Sequence, residues 1–363
     1  MEPFWVEVVG IFPEARDCST IVLRRLDGQP LVYRAGQFLT FLLTIHGREL
    51  RRSYSFSSAP GIDPWPAITI KRVPNGEASR YLLDHLVPGD RLLTLPPSGR
   101  FTLEAAGGGG AGGAAARHFF IAAGSGMAPV YSLLKTALLT PAKPAAEGAS
   151  GPAADVVLIS QQHDEQSVLF GEALRGWQRQ WPERFTWINI LSSHFGRLTN
   201  LMLQDLVGEW SERPERNGQP ARQSAVPFFY LCGPPAFMRM AQFTLRLMGV
   251  EEARIRREHF TVEYVPPPPP LVDTLPKQIQ IVREGQTIVF DAAYPQTILQ
   301  AALAHGVELP YSCRGGRCST CVARCLAGKV KMSINEVLTD EDLQRGLVLT
   351  CVGYAETDVE LAY

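Results

Sequence analysis

The sequence has few of the features that mark nucleic-acid-binding, secreted or membrane proteins. Its formal net charge is −1 over 363 residues and it contains no long run of lysine and arginine, so we expect no nucleic-acid partner. Residues 1–7 lack the basic and apolar regions of a secretory signal. The most membrane-like stretch, residues 119–134, is shorter than the roughly 18 apolar residues that a membrane span needs, and glycine and proline interrupt it. These absences predict a cytoplasmic protein without a membrane partner.

Catalytic triads and paired carboxylates are also absent as recognisable patterns, whereas cysteine is concentrated in one place. Four of the seven cysteines lie between Cys313 and Cys325, with those two included. In a chain of this length, such crowding favours a metal or redox site in a reducing compartment over a disulfide scaffold. Apolar residues make up 45% of the chain and charged residues 20%, and this composition at this length predicts three globular domains.

Two changes of composition divide the chain into three segments. A Gly/Ala stretch at residues 105–116 follows the first segment, and a run of prolines lies in a linker that we place at residues 263–275. Short β-branched runs separated by turn residues predict an antiparallel barrel in residues 1–104. Strand-like and helix-like stretches alternate in residues 117–262, which predicts a parallel sheet flanked by helices. One of these predicted helices covers residues 166–179. We expect residues 276–363, which hold the cysteine cluster, to form a compact third domain.

The cysteine cluster has the spacing of a plant-type [2Fe-2S] centre. A C-x4-C-x2-C sequence is followed after a long gap by one more cysteine, which is the pattern of four thiolate ligands around two irons. Gly315 and Gly316 lie inside the first interval and allow backbone amides to approach the sulfur atoms, which stabilises the more negative reduced cluster. The predicted metal ligands are Cys313, Cys318, Cys321 and Cys351.

Structural zinc and ordinary burial are the two alternative explanations of these cysteines. Structural zinc favours paired C-x2-C motifs, and the sequence offers only one such pair. Ordinary buried cysteines would leave the four-part spacing unexplained. Cys325 and Cys18 fall outside the spacing, and we interpret them as small thiols that are not ligands.

Three further motifs, together with the cysteine spacing, resemble the ferredoxin-NADP reductase superfamily. They are an R-x-Y-S sequence at residues 52–55, a G-x-G-x-x-P sequence at 124–129 and a Cys-Gly-Pro sequence at 232–234. The resemblance is to the reductases of multicomponent oxygenases, which carry flavin, nicotinamide and ferredoxin domains in that order. It implies a multidomain α+β and α/β fold: an antiparallel Greek-key flavin barrel, a Rossmann-like parallel α/β nucleotide domain and a β-grasp plant-type ferredoxin domain.

The resemblance implies a flavin site in the first segment. Arg52 would contact the flavin phosphate, Tyr54 would lie against the isoalloxazine or ribityl, and Ser55 would lie near flavin N5. A guanidinium fork, a flat phenol and a small hydroxyl suit these three roles. Gly76 and Ser79 resemble a second phosphate element, in which the serine opens a helix whose N-terminus attracts phosphate. Two phosphate elements favour FAD over FMN, although each motif alone would suit a solvated strand edge or an ordinary N-cap.

The resemblance also implies a nicotinamide site in the middle segment. Both of its motifs follow an apolar strand and precede a helix, which is the context that a dinucleotide-binding turn requires. In the family the cysteine lies beside nicotinamide C4 and positions it against the flavin, whereas without the family it would be interpreted as a buried core cysteine. The residues of the two motifs are Gly124, Gly126, Pro129, Cys232, Gly233 and Pro234.

The choice between NADH and NADPH depends on the group that meets the ribose 2′ position. Ser192, Ser193 and His194 stand where many relatives show Ser-Arg, and the missing arginine favours NADH. Arg197 and His163 are alternative cations for a 2′-phosphate, so NADPH stays open.

Together these sites predict an NAD(P)H-dependent electron-transfer reductase. A hydride would pass from NADH to FAD beside Ser55 and Cys232, and the cluster would deliver electrons to a partner oxygenase component or another acceptor protein. Phe260 would either border the isoalloxazine or simply close the sheet as an apolar residue. The flavin helix and the sequence around Cys351 resemble the reductases of phenylacetyl-CoA epoxidase and steroid 9α-hydroxylase. A reductase of a hybrid-cluster protein and a flavin/iron-sulfur redox sensor are the alternatives.

Overall fold

The computed structural model describes residues 2–103, 117–140, 144–145, 149–150, 155–211, 227–260, 266–283 and 285–363. The Gly/Ala stretch and residues 263–265 of the predicted linker lie outside this part of the chain. The chain forms two compact units: the larger contains Glu2–Pro97 and Phe101–Glu258, and the smaller contains Ser98–Arg100 and His259–Tyr363. Within the described residues, no helix is long and apolar enough to cross a membrane.

The larger unit begins with a six-stranded antiparallel barrel. Its elements are β1 (Phe4–Ala15), β2 (Cys18–Arg25), β3 (Phe38–Ile45), β4 (Arg48–Ser55), β5 (Ala67–Lys71), α1 (Glu77–His85) and β6 (Arg91–Thr94). The strand order is β4-β3-β6-β1-β2-β5, and β4 lies against β5, so the sheet closes on itself. Val8, Leu23, Phe41 and Ile70 are completely buried in its core. The predicted antiparallel barrel is confirmed.

A five-stranded parallel sheet flanked by helices follows in the same unit. Its order is β11-β10-β7-β12-β13, and every pairing within it is parallel, as predicted. A pair of two-residue strands, β8 and β9, forms a small separate sheet. The elements are β7 (Arg117–Ala123), α2 (Met127–Leu139), β8 (Pro144–Ala145), β9 (Ala149–Ser150), β10 (Asp155–Gln162), α3 (Gly171–Gln180), β11 (Phe185–Leu191), α4 (Ser192–Phe195), α5 (Asn200–Ser211), β12 (Phe228–Cys232), α6 (Pro235–Leu247) and β13 (Ile255–Glu258).

The central strand β7 is apolar from residue 119 to residue 123, because helices cover both faces of the sheet. On one face Phe119 stacks on Phe229, with ring centroids 5.0 Å apart. On the other face Phe120 stacks on Tyr230, also at 5.0 Å. Consecutive residues of a strand point to opposite faces, so one continuous apolar run fills two cores. This strand leads directly into the first nucleotide motif.

The region after β10 differs from the sequence prediction of one helix over residues 166–179. A single 3₁₀ turn at Glu165–Ser167 is closed by a capping box at Asp164. Phe170 then takes a φ of 57° before α3 begins. Its ring stacks on Tyr131 of α2 at a centroid distance of 3.9 Å, and this contact with a distant part of the chain stabilises the break.

His118 at the start of β7 is a buried histidine that should limit stability in acid. It is 6% exposed and lies near the rings of Phe120, Phe228 and Tyr230. Burial lowers the pKa of His118 from 6.5 to about 4, so the neutral form is the one the folded chain accepts. The free energy of unfolding therefore loses nothing to His118 above pH 6.5. As the pH drops from 6.5 towards 4, protonation of His118 in the unfolded chain lowers it by about 1.4 kcal/mol per pH unit.

We expect His118→Phe to flatten the fall in the thermal unfolding midpoint between pH 7 and pH 4.5, because phenylalanine fills a similar space and takes no proton. His46→Asn removes an exposed histidine and should leave the wild-type slope unchanged. An equal slope in wild-type and His118→Phe proteins would contradict the assignment to His118.

The smaller unit contains a β-grasp domain, as the resemblance implied. Its main sheet has the order β15-β14-β20-β16-β18, in which β14 and β20 are parallel neighbours. Helix α7 begins with a capping box between Thr297 and Gln300 and buries Ile298 and Leu299 beneath the sheet. The elements are β14 (Lys277–Arg283), β15 (Gln286–Ala292), α7 (Ile298–Ala304), β16 (Val322–Ala327), β17 (Val330–Met332), α8 (Asp340–Gln344), β18 (Leu347–Leu349), β19 (Gly353–Ala355) and β20 (Val359–Ala362).

Candidate functional site

Strand β4 carries the predicted flavin residues on two faces. Arg52 and Tyr54 are two residues apart, so both project from the same face, and Ser55 points to the other face and is 3% exposed. The Tyr54 ring lies 6.1 Å from the ring of Phe41, and burial raises the pKa of Tyr54 to about 12. Arg52 is exposed, and its Nη1 donates to the backbone oxygen of Arg51 at 2.8 Å. This leaves a guanidinium with further donors beside a partly buried phenol.

The second predicted phosphate element lies at the start of α1, but its serine does not open the helix. Gly76 is the N-cap, α1 begins at Glu77, and Ser79 is the third helical residue. The Ser79 hydroxyl accepts a hydrogen bond from the Val73 amide at 3.1 Å and donates to the Gly76 carbonyl at 3.4 Å. The Ser79 hydroxyl is therefore occupied by the preceding loop. The groups that can donate to an anion here are the backbone amides of the first helical turn.

The two nucleotide motifs pack directly against each other at the carboxyl ends of β7 and β12. A Cβ atom added to Gly126 would lie 2.2 Å from the Cys232 carbonyl oxygen, and one added to Gly233 would lie 2.9 Å from the Phe237 ring. Neither position can hold a side chain without moving backbone or ring. Pro129 lies in the first turn of α2, and Pro234 is the N-cap of α6. The sequence places these motifs more than 100 residues apart, and the sheet brings them into contact.

Cys232 is a completely buried thiol at the end of β12. It pairs in register with Ala122 on one side and Glu258 on the other. Burial, and then the nearby Glu258 carboxylate, raise the pKa of Cys232 well above the usual thiol value. The thiol therefore stays protonated and is suited to contact and positioning rather than to nucleophilic attack.

Lys71 is a residue of this region that the sequence motifs did not reveal. Its Nζ lies 3.7 Å from the place where a Gly124 Cβ would stand, so the ammonium group borders the glycine turn. Gly124 itself has a φ of 56°. The only sequence signal is a lysine in the last position of a strand, which is too common to interpret without the contact between β5 and the turn.

The residues that bear on NADH or NADPH choice meet at the carboxyl ends of β10 and β11. The Ser193 amide donates to the His163 carbonyl at 2.9 Å, and the Ser192 hydroxyl lies 3.5 Å from His163 Nδ1. The Ser193 hydroxyl lies 3.2 Å from His194 Nδ1. Arg197 is exposed nearby in the chain. His163 therefore contacts the Ser-Ser-His sequence at residues 192–194, which occupies the position where many relatives have Ser-Arg.

The four predicted metal ligands converge in the loop before β16 and after β18. The Cys313 amide lies 3.4 Å from Cys318 Sγ, and the Gly315 amide donates to Cys313 Sγ at 3.4 Å. Contacts with Cys318 and then with Cys351 lower the pKa of the Cys313 thiol, and a contact with Cys351 lowers that of Cys321. These contacts link all four sulfur atoms into one group.

The chemistry of this group fits a [2Fe-2S] cluster, whose two irons share four cysteine ligands. Within the described part of the chain, no set of three or more His, Cys, Asp or Glu side chains has the arrangement of a single-ion site. All seven cysteines are free thiols, and Cys325 and Cys18 lie outside the group, as predicted.

Phe260 is 44% exposed and is the last described residue before residues 261–265. Its predicted place beside the isoalloxazine stays a prediction.

Family models match each part of the chain. Residues 15–103 match a model described as an oxidoreductase FAD-binding domain, and residues 120–242 match an oxidoreductase NAD-binding domain. Residues 281–356 match a 2Fe-2S iron-sulfur cluster binding domain. The chain is therefore an oxidoreductase with FAD, NAD and [2Fe-2S] as its cofactors.

Relatives cover almost the whole chain. It is 34% identical to the 3-ketosteroid-9-alpha-monooxygenase ferredoxin reductase component of Mycobacterium tuberculosis, over 98% of this chain and 91% of the relative. It is 30% identical to a component of the 1,2-phenylacetyl-CoA epoxidase of Escherichia coli, over 95% and 92%. The solved structure of phthalate dioxygenase reductase has the same fold, with a TM-score of 0.58, 20% identity and coverage of 99% and 97%. The chain belongs to the family of three-domain reductases that these oxygenase components represent.

Proposed function

We propose that the chain takes electrons from NADH and delivers them, through FAD and a [2Fe-2S] cluster, to a separate oxygenase component. The observation that carries this proposal is the packing of Gly126 against the Cys232 carbonyl, which joins both nucleotide turns into one cradle. The names of the relatives support an oxygenase as the acceptor. In the same proposal, residues 1–104 bind FAD and residues 117–262 bind the nicotinamide nucleotide. Residues 263–275 form the linker to residues 276–363, which hold the cluster.

Each cofactor has residues whose chemistry suits it. Bound FAD accepts a hydride, and a [2Fe-2S] cluster passes on one electron at a time. In the proposal, Arg52 and the first-turn amides of α1 hold the flavin phosphates, Tyr54 forms a wall against the ring or ribityl, and Ser55 donates to the ring nitrogen.

In the nucleotide site, the amides of the 124–126 turn and the Lys71 ammonium would hold the pyrophosphate. The protonated Cys232 thiol would set the position of the nicotinamide against the flavin, because its contact fixes distance without competing for the hydride. Ser193 and His194 provide no permanent cation for a 2′-phosphate, which supports NADH. The four cysteine thiolates would hold the irons. We place the protein in the cytoplasm, where its free thiols would stay reduced.

The function is tested by an anaerobic visible spectrum of the purified protein, recorded before and after NADH or NADPH is added in separate cuvettes. We expect flavin bands over broad iron-sulfur absorbance, with bleaching by NADH at least about tenfold faster than by NADPH, as expected for a site without a 2′-phosphate partner. A colourless protein, or one that neither nucleotide bleaches, would contradict the proposed function. Equal bleaching by both would contradict only the preference for NADH.

Arg52→Gln is expected to weaken FAD binding by about 10- to 100-fold, because a hydrogen bond to a charged group contributes roughly 1.5–3 kcal/mol. Fluorescence titration of flavin-free protein with FAD measures the change. Arg51→Gln is the matched control, since Arg51 is adjacent on the opposite face of β4 and its Nε bonds to Glu49 at 2.8 Å. Equal weakening in both variants would show a general loss of charge rather than a phosphate contact at Arg52.

A further inference from the structure

An arginine next to a predicted cluster ligand is held in an ion pair whose two contacting atoms are buried. Arg317 directly precedes Cys318, and its side chain is 11% exposed. Its Nε lies 2.9 Å from Glu336 Oε2, and both atoms are inaccessible to solvent. The alignment is not that of a directed hydrogen bond, so the contact is chiefly one of charge with charge.

The backbone around this pair is tied closely to the cysteine group. The Arg317 backbone amide forms a hydrogen bond to the Cys313 thiol and helps to lower its pKa. The Glu336 amide donates to the Gly316 carbonyl at 3.2 Å, which holds the carboxylate against the same loop. In the same unit, His259 Nε2 lies 3.5 Å from Glu336 Oε2. The Arg317 guanidinium is thus held at Glu336, whose backbone is bonded to the loop that carries the cysteines, rather than free to move into solvent.

Charge fixed near an iron-sulfur cluster acts on its reduction potential. The cluster gains a negative charge on reduction, so a nearby cation stabilises the reduced form and a nearby anion destabilises it. Buried charges are screened less by water and salt than exposed ones. Arg317 precedes the ligand Cys318 in the chain and its backbone amide bonds to the Cys313 thiol, whereas Glu336 contacts the loop only through the Gly316 carbonyl among the hydrogen bonds described here. The cation should therefore have the larger effect.

We propose that Arg317 raises the reduction potential of the [2Fe-2S] cluster and that Glu336 limits this rise. With this pair present, the cluster accepts electrons from the flavin more readily than a cluster held by the four cysteines without the pair. This inference rests on the proposed function, because it requires the four cysteines to hold the cluster.

Arg314 offers a matched control in the same loop. It directly follows Cys313, carries the same charge and is exposed, with its guanidinium carbon 4.3 Å from the centre of the Tyr311 ring. Solvent should screen most of its effect on the cluster. Arg317 and Arg314 therefore differ in burial more than in distance along the chain from a ligand.

The experiment is a redox titration of the full-length protein, with the reduced cluster followed by its electron paramagnetic resonance signal. We expect Arg317→Gln to lower the potential by at least a tenfold change in the reduction equilibrium, or about 59 mV for one electron. Glu336→Gln should raise the potential, and the double variant should lie between the two single variants. Arg317→Lys should keep most of the wild-type potential, and Arg314→Gln should shift it by less than half as much as Arg317→Gln.

Equal shifts in Arg317→Gln and Arg314→Gln, or a Glu336→Gln potential that does not rise, would overturn the inference. If Arg317→Gln assembles no cluster, Arg317→Lys and Glu336→Gln decide the matter by the same criteria, with an unchanged potential in Glu336→Gln counting against the proposal. A wild-type protein without any cluster signal would instead contradict the cysteine assignment, so the two failures are distinct.

Discussion

Replacing Cys351 with serine is expected to remove the iron-sulfur absorbance and to lower electron delivery to a protein acceptor by more than about 100-fold. Loss of a ligand should exceed the roughly 10- to 100-fold cost in metal affinity of changing a residue that only supports a ligand. Cys351 is 6% exposed, contacts the Cys313 and Cys321 thiols, and follows the completely buried Thr350. Its position is thus fixed, and a serine oxygen there cannot replace the thiolate that iron-sulfur clusters take. Reduction of the flavin by NADH should stay near the wild-type rate, because the flavin precedes the cluster.

Cys325→Ser is the matched control for this loss. Cys325 lies in the adjacent strand β16, where its thiol donates to the Ala327 carbonyl at 3.3 Å. A serine hydroxyl can make the same hydrogen bond, so the variant should keep both the cluster spectrum and the acceptor rate. Visible absorbance, iron content and stopped-flow flavin reduction provide the measurements. Retention of the cluster in Cys351→Ser, or its loss in Cys325→Ser, would show that the ligand set is wrong.

Replacing Gly126 with alanine is expected to slow the reduction of the flavin by NADH by about 100-fold, the effect of a displacement of roughly 1 Å in a reacting group. The new methyl carbon would lie 2.2 Å from the Cys232 carbonyl oxygen and 2.8 Å from the Gly233 amide nitrogen. Both are backbone atoms, so one of the two turns has to move. Overpacking of this kind also lowers the free energy of unfolding by about 1–3 kcal/mol.

Gly176→Ala in α3 is the control for the Gly126 prediction. An alanine Cβ there meets no atom within 4 Å, and alanine favours a helix over glycine by about 1 kcal/mol, so the variant should reduce its flavin at the wild-type rate. Stopped-flow absorbance at saturating NADH gives the rates, and thermal unfolding gives the stability. A Gly126→Ala protein with the wild-type rate would mean that the contact between the two turns does not position the nucleotide.

The features that the sequence predicted well are those whose signal is local. Alternating apolar residues gave the barrel strands, and the run before Gly124 gave a parallel strand buried on both faces. The spacing of the cysteines was sufficient to predict a [2Fe-2S] domain because the ligand pattern is itself a chemical requirement. In each case neighbouring residues carry the information.

Two of the features that the sequence missed depend on contacts between distant segments. Phe170 breaks the predicted helix because its ring stacks on Tyr131 of another helix. Ser79 is a local miss by contrast, because α1 begins two residues before it and its hydroxyl accepts from the Val73 amide instead of capping the helix. Lys71 borders the nucleotide turn only because the end of β5 meets that turn. None of these contacts leaves a periodic pattern that could be recognised beforehand.

The contact of Gly126 with the Cys232–Gly233 peptide also restricts how the nucleotide site can be redesigned. The two turns already pack so closely that not even a methyl group fits between them at Gly126. If only one turn were replaced by that of a relative with a different backbone path, its atoms would collide with the unaltered partner turn. The two turns therefore form one exchangeable part, although more than 100 residues separate them in the chain. A chimera that aims to change the electron donor has to transfer both turns together with the strands β7 and β12 that hold them.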